Sequence, residues 1–192
     1  MRSLRFLLGP LWLLCLALAV ACGDPFALGR ATIQNVADTV ALYALNGGTP
    51  PRTPSAYFIG TRELPPEAVL IQNGSQFDFA VDLDTLNQVV VLPTGALHLG
   101  LGSGVQTTTT PFDSIRIAPT AGFKRDSAVT LPVGGRAIVH SRDTQCSNGI
   151  TVVYYAKLEI LAVDTTSRKI TFKILVDDNC GYRGLEPGFP AR

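Results

Sequence analysis

The 192 residues predict an all-β protein: a single antiparallel β-sandwich or a partly open barrel of about ten strands, preceded by a signal peptide. Three observations predict this. Short segments rich in β-branched and aromatic residues alternate with turn residues along most of the chain. Several of these segments alternate apolar and polar residues with the period of two that is typical of a half-buried strand. The N-terminal stretch departs from this pattern, because it is apolar and carries no charge after Arg5.

The N terminus has the features of a secretory signal. Arg2 and Arg5 give it a basic start, and residues 6–21 follow without a charge. This stretch is shorter than the roughly 20 apolar residues that cross a membrane as a helix. The small residues just before Cys22 suit an ordinary signal peptidase, and residues 18–22 also resemble a bacterial lipobox, in which the cysteine is acylated. We therefore expect cleavage before Cys22 and lipidation of its thiol, with simple secretion as the alternative.

The domain organisation follows from this leader. We expect residues 1–21 to be the signal peptide, residues 22–30 a lipid-anchored tether, residues 31–183 the β-sandwich domain and residues 184–192, which are rich in Pro and Gly, a surface tail. Gly23 rather than Asp follows the lipobox cysteine, which by resemblance to the exported lipoproteins of diderm bacteria implies no retention at the inner membrane. The expected location is the outer membrane, facing the periplasm or the cell surface.

Charge and composition exclude several classes of partner. Arg2 and Arg5 are the only charged residues of the leader, so 14 of the 16 basic and all 15 acidic side chains remain in the mature chain. No run of Lys or Arg provides the basic patch that nucleic-acid binding requires. Trp12 and Met1 leave with the leader, which disfavours an aromatic carbohydrate platform and a soft-metal site.

Cysteine usage predicts one crosslink. With Cys22 acylated, the exported domain keeps Cys146 and Cys180, and such a pair is usually oxidised in an exported protein. The closed loop would stabilise the fold by about 4 kcal/mol in the chain-entropy model. A two-cysteine metal site is the alternative, but it lacks nearby histidines or further cysteines.

Residues 32–45 fit two structures. Their apolar residues match the spacing of a helix, yet the segment is rich in β-branched residues. Val40, Leu42 and Ala44 also alternate with the period of a strand. We therefore expect a strand, bent near Ala37.

Weaker strand signals follow along the chain. They lie at residues 55–60, 88–92, 96–99, 114–118, 128–131 and 136–141. Residues 100–111 combine glycines with four successive threonines and end in a proline, which predicts a flexible or edge segment.

The clearest strand covers residues 77–84. Period two places four apolar residues toward the core and three aspartates toward water. The apolar residues are Phe77, Phe79, Val81 and Leu83, and the aspartates are Asp78, Asp82 and Asp84. The Asn73-Gly74 pair is a strong hairpin signal, so we expect it to join residues 68–71 to this strand.

A second hairpin is expected between residues 151–163 and 169–176. Pairing Asp164 with Arg168 sets a register in which apolar residues face one another. The pairs are Ala156 with Val176, Leu158 with Ile174, and Ile160 with Phe172. On the other face, Glu159 would meet Lys173 as a cross-strand ion pair. Cys146 and Cys180 flank this unit, so their bond would pin one end of the sheet.

No catalytic residue is expected. The two histidines, His98 and His140, stand outside any signature that joins a nucleophile, a base and an orienting carboxylate. His140 shares a strand face with Arg136 and Arg142, which is typical of a solvated face. The glycines in residues 100–104 are too close together for a dinucleotide-binding loop.

Calcium is an alternative ligand. Asp82, Asp84 and residues 177–179 could supply oxygen ligands to Ca²⁺, but they lack the spacing of a known calcium loop. Strand-ending turns stabilised by aspartate side chains are the favoured interpretation. No metal site is therefore expected.

Four short segments resemble a known family. Residues 77–80, 155–160, 163–164 and 170–172 are similar to HmuY-type haem-binding lipoproteins, which are rich in β structure. That family binds haem through a pair of histidines. The resemblance therefore implies His98 and His140, the only histidines of the chain, as a speculative ligand-binding pair.

These observations favour a lipid-anchored cell-envelope β-domain with a non-enzymatic binding or envelope-assembly role. Its expected partners are the membrane, through the N-terminal lipid, and another envelope protein, but not nucleic acid. No cofactor is expected, with haem or calcium as alternatives. A haem or small-ligand binding lipoprotein is the second hypothesis, and an envelope hydrolase is the third.

Overall fold

The computed structural model describes residues 29–61, 64–71, 76–146 and 149–190. The expected signal peptide, Cys22 and the Asn73-Gly74 turn lie outside these residues. Within them, no helix has the length and apolar character needed to cross a membrane. The described segments form twelve β-strands, namely β1 (Ala37–Tyr43), β2 (Ala56–Phe58), β3 (Glu67–Val69), β4 (Phe79–Leu83), β5 (Val89–Pro93), β6 (Gly104–Thr108), β7 (Val129–Leu131), β8 (Arg136–His140), β9 (Thr144–Gln145), β10 (Thr151–Val152), β11 (Tyr155–Asp164) and β12 (Lys169–Asp177).

Ten of these strands form two five-stranded antiparallel sheets that pack against each other without closing into a barrel. Sheet 1 has the order β1-β12-β11-β8-β6, and sheet 2 has the order β3-β2-β4-β5-β7. Strands β9 and β10 form a separate two-stranded ribbon. The predicted all-β sandwich is therefore confirmed.

The core lies between the two sheets and is built from the inward-facing residues of both. Tyr57 and Phe79 of sheet 2 stack with ring centroids 5.6 Å apart, and Phe172 of sheet 1 lies 6.2 and 6.3 Å from them. Offset and edge-on ring contacts of this kind add to the free energy gained from apolar burial. Aliphatic side chains of β4, β5, β8, β11 and β12 complete the cluster.

Residues 37–43 form a strand, as the alternation predicts. Leu42 and Ala44 are fully buried in the core, and Val40 packs against it. The helix that the apolar spacing of this segment also allowed does not form, because β1 pairs along its whole length with β12. The register runs from Ala37 opposite Leu175 to Tyr43 opposite Lys169.

The register predicted for the β11–β12 hairpin is correct over its first half. Leu158 lies opposite Ile174, and Ile160 lies opposite Phe172. A bulge between Ile160 and Ala162 then shifts the pairing, so Asp164 lies opposite Lys169 and not Arg168. A bulge adds one residue to one strand, which the alternation of apolar residues alone does not reveal.

The expected ion pair between Glu159 and Lys173 is wrong, although the two residues do lie opposite each other. Glu159 binds Arg136 of β8 instead, with Nε 2.9 Å from Oε1. The ammonium of Lys173 lies 3.3 Å from the carboxylate of Asp113. Glu159 therefore pairs with the strand on its other side, and Lys173 pairs with the 112–114 turn that covers the sheet.

Several other strand predictions need correction. The expected hairpin from residues 68–71 into β4 does not form, because β2 lies between β3 and β4. Residues 94–97 and 112–114 form short 3₁₀ turns, where strands at 96–99 and 114–118 were expected. The prediction of a flexible or edge segment at residues 100–111 is confirmed in its second alternative, because the segment contains β6, the edge strand of sheet 1.

Two chain segments cover the outer face of sheet 1. Phe112, Ile115 and Leu185 pack there against Tyr155 and Leu175. The C-terminal residues were expected to form a surface tail, but Leu185 is fully buried and Gly188 pairs with Asn35. The C-terminal segment packs on sheet 1 because the outer face of this sheet is apolar, and without the cover its apolar side chains would be exposed to water.

Lys157 is buried under this cover, with no measurable exposure. Its ammonium donates to the carbonyl oxygens of Phe112 and Ile115 at 2.8 and 3.0 Å, and it lies 4.5 Å from the ring centroid of Phe112. Burial lowers the pKa of this lysine. Lys157 thus holds the 112–115 turn against sheet 1.

The sandwich has two distinct ends. One end, which we name the tether end, holds the starts of β1 and β6 and the ends of β8 and β12. Arg142, just after β8, binds Asp78, just before β4, so both sheets meet at this end. The opposite end, which we name the groove end, holds the β11–β12 turn and the β4–β5 turn. Arg168 binds Asp82 across the sheets there.

Candidate functional site

A groove of about 850 Å³ lies at the open edge of the sandwich. It lies between β6, the edge strand of sheet 1, and β7, the edge strand of sheet 2. Residues 107–109 line one side and residues 130–136 line the other. We refer to this surface as the edge groove.

The backbone of β6 presents hydrogen-bonding groups at this edge. Val105 exchanges two bonds of 2.9 Å with Lys124, on the side facing away from β8. Alternate residues of an antiparallel strand direct their backbone groups to the same side. Thr107 therefore also directs its N–H and C=O away from β8, toward the open edge.

The backbone of β7 does the same from the other sheet. The N–H of Asp84 donates to the carbonyl of Gln88 at 3.0 Å, so β5 directs alternate residues from Gln88 onward to β4. The residues that alternate with these, Val89 and Val91, direct their backbone groups to the other side and bond to Leu131 and Val129 of β7. Thr130, between these two partners, directs its N–H and C=O away from β5. Two threonines on facing edges thus offer one donor and one acceptor each.

Arg136 lines the edge groove and connects its threonine side to the rest of sheet 1. Its Nε donates to Glu159, and its Nη1 donates to the carbonyl oxygens of Thr109 and Thr110 at 3.1 and 3.3 Å. The guanidinium thereby ties the end of β6 to β8 and β11. The threonines are consequently held in place even though they lie at the margin of a sheet.

The edge groove has one exposed apolar side chain in its lining, Val133, and a second, Leu161, on the neighbouring strand β11. The turn that carries Val133 is held against β11, because Gly134 donates to the carbonyl of Ile160 at 2.7 Å. Leu161, the residue at the β11 bulge, is next to Ile160 in the sequence. Both Val133 and Leu161 are exposed. A mixed surface of backbone groups, hydroxyls and an exposed apolar side chain suits a ligand with a polar backbone and side chains of its own.

The two histidines occupy different environments. His98 is exposed and ends the 94–97 turn with a left-handed backbone (φ 59°). His140 is buried: its Nδ1 lies 2.8 Å from the carbonyl oxygen of Ser141, and its ring packs edge-on against Phe123 at 4.7 Å. The expectation that it lies on a solvated face is wrong, because the segment carrying Phe123 covers it.

Ligation through His140 would require rearrangement. A Cβ added to Gly104 would lie 2.5 Å from Nε2, so this ring nitrogen faces the β6 backbone. Burial lowers the pKa of His140. The structure therefore does not present His98 and His140 as an open pair of ligands.

Ser141 follows His140, but its hydroxyl does not bond to the imidazole. The hydroxyl donates to the carbonyl of Arg142 at 2.7 Å and accepts the N–H of Tyr154 at 2.9 Å. The nearby carboxylate of Asp78 accepts from the backbone N–H groups of Ile59 and Arg142 at 2.8 and 2.9 Å. These contacts join chain segments and leave no activated nucleophile among these residues.

Asp78 itself was expected to face water and is instead 1% exposed. Burial raises its pKa, and the two backbone donors together with the Arg142 guanidinium offset part of that rise. Phe77, expected in the main core, lies in a smaller cluster with Ala56 and Ala80. The strand begins only at Phe79, so the alternation does not extend back to these two residues.

The aspartates considered for calcium mainly form turns. Asp84 accepts the N–H groups of Leu86 and Gln88, both at 2.8 Å. Asp177 accepts the N–H of Asn179 at 3.0 Å, and the amide oxygen of Asn179 accepts from Thr32 and Ile33. The described residues contain no cluster of three or more metal-ligating side chains.

The carboxyl groups of Asp177 and Asp178 have raised pKa values. Burial raises the pKa of Asp177 to about 6. Burial, followed by repulsion from Asp177, raises the pKa of Asp178 to about 6. These carboxyl groups sit at the end of β12, where Asn179 holds the N-terminal segment.

Cys146 and Cys180 form the predicted disulfide, with Cα atoms 5.9 Å apart. It links the residue directly after β9 to the chain just after β12. The tether end is therefore covalently closed, which agrees with the position inferred from the sequence.

Sequence reasoning missed the edge groove. Its only local signal was the run of threonines after residue 106, which indicated an edge. The facing edge strand, β7, lies more than twenty residues further along the chain. No local pattern could pair them.

Comparisons with protein-family models, with curated proteins and with solved structures found no match to this chain.

Proposed function

We propose that this protein is a lipid-anchored, non-enzymatic binding domain of the bacterial cell envelope. Residues 1–21 direct its export, and Cys22 carries the lipid at the outer membrane. The domain binds an extended segment of another envelope protein along the edge groove.

The observation that carries this proposal is the placement of the edge groove relative to the N-terminal segment. The described chain starts at Gly29, whose carbonyl accepts the Tyr182 hydroxyl at 2.7 Å, and it enters β1 at the tether end. The edge groove lies at the groove end. A domain attached through Cys22 would therefore hold its groove away from the lipid surface.

An extended polypeptide is the class of partner that fits the groove. Thr107 and Thr130 each direct an N–H and a C=O outward, and a strand-like peptide pairs with alternating donors and acceptors of this kind. Val133, which lines the groove and is exposed, supplies apolar contact for its side chains. Formal charge in the mature chain is close to balanced, so the backbone rather than charge provides the recognition.

The anchor is tested by the intact mass of the protein extracted from a lipoprotein-processing bacterium, with and without reductant. We expect the mass of residues 22–192 plus acyl chains. Two hydrogens should be gained on reduction of the Cys146–Cys180 bond. An unacylated mass would contradict the anchor.

The groove is tested by photo-cross-linking in cells. A benzoylphenylalanine at position 133 should capture one envelope protein, whereas the same probe at position 39, on the opposite edge strand β1, should not. Thr107→Pro removes the outward N–H, and proline is tolerated where the N–H faces away from the neighbouring strand. We expect this variant to fold and to lose the cross-link. Equal capture from both positions, or capture unaffected by Thr107→Pro, would refute the groove as the binding edge.

A further inference from the structure

The exposed apolar side chains are distributed unevenly between the two ends of the sandwich. Among the described residues, three of the ten exposed large apolar side chains lie at the groove end, namely Leu86, Val133 and Leu161. A fourth, Ile117, belongs to the segment that covers the outer face of sheet 1. The tether end carries a larger set, consisting of Ile33, Val36, Leu64, Leu99, Leu101 and Phe189. Large apolar groups gathered on one surface of a protein mark a contact with another molecule or with lipid.

Leu99 and Leu101 are the most prominent pair in this set. They are 59% and 57% exposed and stand on a short loop between β5 and β6. Gly100, between them, has a left-handed backbone (φ 91°) that a residue with a Cβ would adopt only with strain. This turn places the two leucines at the tip of the loop.

The loop is held firmly, so the exposure of its leucines does not result from a loose chain. The Thr94 hydroxyl donates to the carbonyl of Gly100 at 2.9 Å. The backbone N–H of Thr94 donates to the Ser103 hydroxyl at 3.0 Å, and both residues are buried. A polar pair buried beneath the loop therefore directs the two leucines outward.

Basic side chains surround the same loop. Arg125 donates to the carbonyl oxygens of Leu101 and Gly102. The methylene groups of Arg142 pack at Gly102, and Lys124 is exposed beside β6. The exposed carboxylates nearby are those of Asp126 and Asp143. Arginine and lysine next to exposed leucines suit the interface of a bilayer, where the apolar group enters and the cation stays with the phosphates.

The N-terminal segment brings this end of the domain close to the anchor. Asn179 holds the backbone of Thr32 and Ile33, and Tyr182 holds Gly29, so the path of the chain is set as far as Gly29. Seven peptide units separate Gly29 from Cys22. Fully extended, they span at most about 25 Å. An acylated Cys22 would therefore keep the tether end near the bilayer.

We propose that the tether end rests on the phospholipid surface, with Leu99 and Leu101 inserted at the headgroup boundary and Arg125 and Lys124 beside the phosphates. This contact rests on the lipid anchor of the proposed function. It would supplement the acyl chains and set the orientation of the domain, so that the edge groove faces away from the membrane.

Tryptophan reporters test the contact in the full, processed chain. The mature protein contains no tryptophan, because Trp12 leaves with the leader, so the parent protein serves as the fluorescence blank. Leu99→Trp places a reporter on the loop, and Leu86→Trp is the matched control on an exposed leucine at the groove end. Each protein is incorporated into vesicles of phosphatidylethanolamine and phosphatidylglycerol with brominated acyl chains.

We expect the Leu99→Trp emission to shift to the blue and to lose roughly half its intensity, since an interfacial residue lies about 5–10 Å into the headgroup–acyl boundary. Leu86→Trp should keep the emission of a hydrated tryptophan. Equal quenching of the two reporters, or quenching of neither, would overturn the proposal. Quenching of neither would then favour a protein cover for this surface.

The intact mass of each sample shows whether Cys22 is acylated, so the lipid contact and the lipid anchor are tested separately. If the chain is acylated and Leu99→Trp is not quenched, the lipid contact fails while the anchor stands. If the chain is not acylated, the same protein is added to preformed vesicles. Quenching of Leu99→Trp alone would then support the surface without the anchor, and its absence would overturn the lipid contact.

Discussion

The tether end and the groove end of the sandwich are stabilised by different means. At the tether end, the Cys146–Cys180 disulfide and the buried carboxylate of Asp78 join chain segments that are distant in the sequence. At the groove end, Asp84 and Asp164 close local turns through exposed hydrogen bonds. Thr107 and Thr130 meanwhile direct backbone groups outward. The covalent link and the buried carboxylate thus lie at one end, whereas the long-range contacts of the other end, such as that of Asp82 with Arg168, are partly exposed and its edge strands direct backbone groups outward.

The largest loss of folding stability should come from removing the disulfide. The two cysteines are 34 residues apart, and a loop of that size gives about 4 kcal/mol of stabilisation in the chain-entropy model. We expect the double variant Cys146→Ala/Cys180→Ala to lose most of this in urea unfolding. Reductant should lower the stability of the parent protein by the same amount and leave the variant unchanged. A loss below about 1 kcal/mol would show that the tether end is closed by its other contacts.

The next effect should come from Asp78→Ala at the same end. This change leaves the buried N–H groups of Ile59 and Arg142 without their acceptor. We expect the free energy of unfolding to fall by about 3 kcal/mol, because buried donors that lose their partner retain the desolvation cost. Chemical denaturation measures it. An effect no larger than that of Asp82→Ala at the groove end would contradict the contrast between the ends.

A pH-dependent effect should appear at Asp177 and Asp178. Their pKa values are raised to about 6 in the folded protein, above the value of about 3.9 for an unfolded chain. The folded state therefore binds more protons, and the contribution of these groups to stability is present below about pH 4 and lost as the pH rises through about 6. Asp178→Asn should stabilise the protein by about 1 kcal/mol at neutral pH, since the side chain is only partly buried.

Unfolding of the parent protein and of Asp178→Asn at a series of pH values measures this difference. The difference should vanish below about pH 3, where Asp178 is protonated in both the folded and the unfolded chain. A difference that is independent of pH would indicate a packing effect and not titration.

The smallest effect should come from Asp82→Ala at the groove end. Asp82 binds Arg168 at 3.3 Å and Asn46 at 2.7 Å, and these side chains are partly exposed. Pairs of this kind contribute about 0.2–1 kcal/mol. We expect a loss in that range, which should shrink in high salt. A loss comparable to that of Asp78→Ala would mean that the partly exposed contacts of the groove end stabilise the fold as much as the buried carboxylate of the tether end.

The β11–β12 hairpin shows how much of the fold is predictable from local pattern. Its strands are adjacent in sequence, so alternation and turn residues suffice to align Leu158 with Ile174. The bulge after Ile160 is not predictable in this way, because its extra residue fits either face. The partner of Glu159 depends on β8, which the hairpin pattern does not include.

The candidate site was less predictable. Residues 94–118 contain strand-like residues, yet they form two 3₁₀ turns and the edge strand β6. His140 has the sequence context of a solvated strand face, but Phe123 covers it. In both cases the outcome depends on which distant segment packs above the sheet, and propensity is easily overridden by such packing.

Local pattern predicts the all-β class, the apolar alternation of β4 and the pairing of Cys146 with Cys180, and it favours a strand over a helix at β1. Each of these depends on residue types close together or on the few cysteines of the exported domain. The position of β2 between β3 and β4, the burial of Asp78 and the groove between β6 and β7 depend on how the whole chain folds. Alternation reports only which side of a strand is apolar. The choice of neighbouring strand depends on the packing and hydrogen bonding of the whole sandwich.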